Sequence, residues 1–98
     1  MEGTYLVEHY WPGITTADFT EAVDRVRSSA QVLSAAGRLV RCLHSTLVPE
    51  DEAAFCVLAA ESKDLVEEVY TRAGVGYERI LSAVESPTTS STSERKRT

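Results

Sequence analysis

The stretch "RLVRCLHSTLVPEDEAAFCVLAA" (residues 38–60) decides how this chain folds. Leucine, valine and threonine recur from Arg38 to Val48, then "PEDE" (Pro49–Glu52) supplies turn residues, then "AAFCVLAA" returns as an apolar run. Pro and Asp at those places start and hold a tight turn, so the stretch reads as a strand, a turn and a second strand. The turn's acids resemble a calcium loop only superficially. They lack the glycine and the spaced oxygens, and read as a solvated turn.

Working outward, the upstream segment "ITTADFTEAVDRVRSSAQVLSAAG" repeats Phe19, Ala22, Val23, Val26, Ala30 and Leu33 at helical spacing. Thr15 with Asp18, or Asp18 with Glu21, can satisfy the free amides at its start, and Gly37 stands where the helix should stop. A helix of about five turns is expected. Before it, "TYLVEHY" (Thr4–Tyr10) alternates and is rich in β-branched and aromatic residues, and Pro12-Gly13 closes it. Downstream, "ESKDLVEEVYTRAG" repeats Leu65, Val66, Val69, Tyr70 and Ala73 between a Ser62 cap and a Gly74 stop. "YERILSAVE" (Tyr77–Glu85) alternates Ile80, Ser82 and Val84 against Arg79, Leu81 and Ala83, and is the last strand.

The order is therefore βαββαβ. Two right-handed crossovers would lay two helices on one face of a four-stranded antiparallel sheet, with the first and third strands central: an α+β fold of the ferredoxin-like kind. It takes residues 1–85. Residues 86–98 contain no large apolar side chain and are rich in Ser and Thr, so they are expected to form a disordered tail with a basic end.

Composition bounds the function. Of 98 residues 43% are hydrophobic and 26% charged, as in ordinary globular domains. The net charge is −5, although the final "ERKRT" holds three of the ten basic residues, so the body is more acidic still. An acidic body repels phosphate backbones, which excludes nucleic acid as the expected partner. No run approaches the roughly 20 apolar residues of a membrane span. No basic-plus-apolar leader opens the chain. Two cysteines, Cys42 and Cys56, are too few for a disulfide scaffold, and the expected setting is cytoplasmic with free thiols.

Two helices leave one sheet face bare. With Val48 opposite Ala53, Cys42, His44 and Thr46 fall on one face with Phe55, Val57 and Ala59. Leu43, Ser45 and Leu47 fall on the other with Ala54, Cys56 and Leu58. In the first strand Glu8 travels with Leu6 and Tyr10, while His9 travels with Tyr5 and Val7. Placing Glu8 beneath a helix would bury an unpaired charge at a cost of several kcal/mol, so its set belongs on the bare face, where Tyr10, His44 or a bound cation could partner it. That face is too apolar for water, and a homodimer packing sheet to sheet would cover it, enclosing a cavity. A bulge in the second strand would reverse part of this assignment.

Three segments, "YLVEHYWPGIT", "HSTLVPEDEAAFCVLAA" and "AGVGYERILSAVE", resemble a family of small bacterial ferredoxin-like proteins of unassigned function, some described as nickel-binding. The resemblance spans residues 4–85. The family's first motif often reads Val-Glu-Arg, so Glu8 matches and His9 replaces the basic residue. The resemblance implies association through the sheets, and it marks Glu8, His44 and Cys56 for testing. The expectation is a small homodimer holding nickel, another divalent transition metal, or a small ligand in the cavity. Glu8 and His44 are the first candidate ligands, His9 the second, and Tyr10, Cys42, Phe55 and Cys56 the lining. No Cys-x-x-Cys or His-x-x-x-His spacing is present, so donors must converge in space. Two other readings use the same face. A monooxygenase, isomerase or cyclase would employ Glu8 as base, His44 as acid and Tyr10 to orient substrate, an analogy from fold alone. A docking module would offer the sheet to another protein. Trp11 reads as a loop tryptophan packed on the surface, or as a lid over the cavity mouth.

Overall fold

β1 (Gly3–Tyr10) and β3 (Ala53–Ala60) lie side by side at the centre of the sheet, with β2 (Val40–Val48) outside β3 and β4 (Arg79–Ala83) outside β1. All three pairings are antiparallel. The structure, a computed structural model, describes residues 2–86. The expected tail lies outside these described residues except for its first residue, Ser86. Helices α1 (Thr16–Ala35) and α2 (Lys63–Ala73) make the two crossovers. This is the ferredoxin-like arrangement expected from the order of the elements.

The core explains why both helices take the same face. On α1, Val23, Val26, Ala30 and Leu33 are buried, and on α2, Leu65, Val66, Val69 and Tyr70. They pack on Val7, Val40, Cys56, Leu58, Ala60 and Ile80, which the strand registers place on one side of the sheet. A fully buried Leu or Val contributes about 1.5–3 kcal/mol over its exposed state, so a change of face would forfeit the main stabilising term.

The termini of the helices are closed as the sequence implies. The Thr15 hydroxyl accepts from the Asp18 amide at 3.0 Å and the Asp18 carboxylate accepts from the Thr15 amide, completing a capping box. Ser62 Oγ accepts from the Leu65 amide at 3.2 Å. Gly74 ends α2 in the left-handed region at φ 70°, where its amide donates to the Tyr70 carbonyl at 3.0 Å. A Cβ added at Gly74 would meet no neighbour, so only the backbone resists it. Gly74→Ala is expected to cost about 1–2 kcal/mol, read as a lower urea midpoint with an unchanged slope.

One irregularity changes the reading of the sheet. From Val48↔Ala53 to His44↔Val57 the β2–β3 register runs as expected, but it shifts between His44 and Cys42. Leu43 is the extra residue, and Cys42 comes to lie opposite Leu58. A bulge flips the alternation for everything beyond it. Cys42 therefore sits on the helical side and packs against the core, not on the bare face beside His44. Leu43 turns outward and is exposed.

Candidate functional site

The face away from the helices carries Leu6, Glu8 and Tyr10 from β1. Leu6 lies between Val57 and Leu81, and Glu8 between Phe55 and Arg79. The centre of this face is apolar and its polar groups stand around it. Glu8 faces away from the helical layer, but its partner is none of those expected. Arg79 Nε donates to Glu8 Oε1 at 2.8 Å, and its Nη2 to Oε2 at 3.4 Å. Arg79 is exposed, and this carboxylate hydrogen bond raises its pKa. Water screens the pair, so its chief effect is geometric: two parallel bonds fix the carboxylate.

His44 occupies the same face near the β2 edge. Its Nε2 lies 3.6 Å from Glu85 Oε2. Glu85 follows β4, and β4 and β2 are the opposite edges of the sheet. Three strand spacings amount to roughly 14 Å. The chain after Ala83 must therefore leave β4 and cross above the central strands to bring Glu85 to His44. Val57 and Ala59, on those rows, are only 5% and 4% exposed although no helix covers them.

Glu8 and His44 do not meet. His44 stands opposite Val57, which stands opposite Leu6, two residues from Glu8. Two strand spacings and two residues of rise separate their backbones by roughly 12 Å. An acid and a base acting on one proton must both be within hydrogen-bond reach of it, which this spacing does not provide. Tyr10 is exposed at the end of β1, and Phe55 is half-buried on the same face.

His9 does not join them either. It is 2% exposed and lies on the helical side. Nδ1 is 3.0 Å from the Ala54 carbonyl oxygen and Nε2 is 3.1 Å from the Tyr70 hydroxyl. A carbonyl only accepts, so Nδ1 carries the proton and Nε2 accepts from the phenol. Burial lowers the His9 pKa from its ordinary value, with the Ala54 bond opposing. Both nitrogens are used, and the thickness of the sheet separates the ring from Glu8. Trp11 stacks on this ring with centroids 4.5 Å apart and packs against the core, as a loop tryptophan does. Cys56 is also interior: it is 1% exposed, accepts from Ser45 Oγ at 3.0 Å, and has its pKa raised by burial. It lines no part of the bare face, because β1–β3 pairing sets it opposite Val7.

Two residues of the face escaped the sequence reading. Arg79 shares the alternation of Leu81 and Ala83, so pairing β4 with β1 would have found it. Glu85 gives no such signal, since its approach to His44 depends on the path taken after the strand ends. Among the described residues no three or more His, Cys, Asp or Glu side chains converge as a metal cluster, and no helix is long and apolar enough to cross a membrane.

These features define a ferredoxin-like protein whose uncovered sheet bears an ordered carboxylate–guanidinium pair and an imidazole–carboxylate pair. The chain belongs to the family described as nickel responsive protein, SCO4226-like, which it matches over residues 5–82. The family resemblance read from the sequence is thus upheld. The crystal structure of SCO4226 from Streptomyces coelicolor A3(2) is similar, with a TM-score of 0.69, 19% identity, and coverage of 86% of this chain and 99% of that one. At that identity the likeness speaks for the fold. No curated protein matches the chain.

Proposed function

We propose that this chain binds a divalent transition metal of the nickel type on its bare sheet face, through His44 and Glu85, with a second copy completing the site. The supporting observation is the 3.6 Å approach of His44 Nε2 to Glu85 Oε2. Two donors each about 2.1 Å from one ion, at angles of about 90–120°, stand roughly 3.0–3.6 Å apart. Imidazole suits nickel, and a carboxylate oxygen is an acceptable further donor. The family name points to the same metal. One imidazole and one carboxylate make a weak site. A two-fold partner would double the donor set and cover Leu6, Phe55 and Leu81. Glu8 stays outside this set because Arg79 holds both its oxygens.

Calorimetric titration with nickel chloride, paired with sedimentation, tests this. The wild type is expected to take one ion per two chains and to sediment as a dimer when loaded. His44→Ala and Glu85→Ala should each weaken binding at least about tenfold, the loss of a direct ligand or its support. Glu8→Gln should leave it unchanged. Undiminished affinity in His44→Ala would remove the site, and a loaded monomer would remove the second copy.

A further inference from the structure

The two cysteines of the chain meet beneath the helical layer. The bulge at Leu43 turns Cys42 to that side, where it stands opposite Leu58, two residues along β3 from Cys56. Ser45 lies between the two sulfurs. Its hydroxyl donates to Cys56 Sγ at 3.0 Å and is 3.8 Å from Cys42 Sγ. The hydroxyl proton is committed to Cys56, so the Cys42 thiol is the donor in the second contact. Without the bulge, Cys42 would face the other side of the sheet and the pair would not exist.

With an ordinary bend of about 90–110° at the shared oxygen, the sulfurs stand roughly 4.8–5.6 Å apart. Two thiolates on one ion, at about 2.3 Å each, are at most about 4.6 Å apart. A small χ1 rotation of Cys42 covers the difference. A disulfide would need far more, because diagonal neighbours on paired strands hold their backbones about 7–8 Å apart, beyond the usual disulfide span. Access is open: Cys56 is buried, but half-buried Cys42 lines a cleft of about 410 Å³ between α1 and β2, with Arg27, Ala30 and Gln31 on its α1 side. The donor set decides the class of guest. Among the described residues no three His, Cys, Asp or Glu side chains gather, so a four-coordinate ion such as zinc is not served here. A soft ion in linear two-coordination needs only two thiolates, and thiolates select copper(I). That complex carries one negative charge. Among the described residues Arg27 makes no ion pair. Burial raises the Cys56 pKa, and the Arg27 charge is near enough to oppose it. A cation so placed favours a buried dithiolate.

We propose that Cys42 and Cys56 together bind one copper(I) ion in linear coordination beneath the helical layer, entered through the α1–β2 cleft. Each thiol releases its proton to solvent as its sulfur binds, and the copper keeps its oxidation state. The Ser45 hydroxyl keeps its bond to the Cys56 sulfur. The site lies on the opposite side of the sheet from His44, shares no residue with the proposed nickel site and does not depend on it.

Anaerobic titration of the reduced protein with copper(I), in competition with the chromophoric chelator bathocuproine disulfonate, tests this. The wild type is expected to take one ion per chain and to gain an ultraviolet thiolate-to-copper charge-transfer band. Cys42→Ser should remove the band and weaken binding at least about a hundredfold, since even a partner outside the ligand set is worth about ten- to a hundredfold. Cys42 is half-buried, so this variant should retain the wild-type unfolding midpoint. Cys56→Ala should bind as weakly. His44→Ala, which removes the proposed nickel site, should bind copper(I) like the wild type, so the two sites stand or fall separately. No copper(I) retained by the wild type, unchanged affinity in Cys42→Ser, an equal loss in His44→Ala, or one ion per two chains would each overturn the assignment.

Discussion

Tyr70→Ala is expected to remove about 3–5 kcal/mol of stability, a large share of the roughly 5–15 kcal/mol that such a domain possesses. Tyr70 is the largest fully buried side chain and belongs to the cluster that joins α2 to the sheet. Its hydroxyl has a separate role that Tyr70→Phe isolates. The phenol donates to His9 Nε2 at 3.1 Å, and the Cys56 thiol adjoins it. Removing the oxygen leaves a buried ring nitrogen with no donor, at a cost of about 1–3 kcal/mol. In a His9→Leu background that nitrogen no longer exists, so Tyr70→Phe should be nearly neutral there. Urea denaturation of the four proteins in the cycle supplies the coupling. A Tyr70→Phe loss of the same size in both backgrounds would show that the hydroxyl serves Cys56 and not His9.

This buried pair also shows where the sequence is legible. Element order follows from periodicities that local sequence carries whole, and α1, α2 and β3 lie where the spacing of Val23, Leu65 and Cys56 puts them. The faces of β1 are equally readable, because one charged residue, Glu8, fixes an alternation that applies to the entire strand. That alternation assigns His9 to the helical side, which conflicts with its candidacy as a ligand beside Glu8. Its real partners, Ala54 and Tyr70, are 45 and 61 residues away, and only the fold brings them to the ring. Cys42 fails for a different reason. A bulge is one residue of slippage that composition does not mark, and it reverses each side chain beyond it. The Arg79 partner of Glu8 was available in principle, since pairing partners on adjacent strands share a face. Glu85 was not, because no periodicity governs a chain that has left its strand.

Acid should destabilise this protein earlier than its carboxylates alone would dictate, and His9 sets the range. Its folded pKa is lowered from 6.5, because burial penalises the imidazolium more than the Ala54 carbonyl favours it. The unfolded chain thus takes up a proton where the folded chain refuses it. The His9 contribution is fully present above pH 6.5 and declines as pH falls from there toward the folded value. One proton bound only by the unfolded state gives a slope of up to about 1.4 kcal/mol per pH unit. Tyr70 and Cys56 act at the other end. Burial raises both pKa values, so their contributions hold below the ordinary 10.0 and 9.0 and are lost as pH rises past them. His9→Gln keeps an acceptor for the Tyr70 hydroxyl but cannot titrate. Urea denaturation at pH 7.5, 6.5 and 5.5 should therefore show the wild type losing more stability than His9→Gln over the lower interval, by up to about 1.4 kcal/mol for the one proton. The difference should shrink to about 0.4 kcal/mol between the upper two values, where the unfolded imidazole is only beginning to take up its proton. Equal slopes in the two proteins would mean that the folded imidazole accepts a proton as readily as a free one, and that the ring is not held neutral between Ala54 and Tyr70.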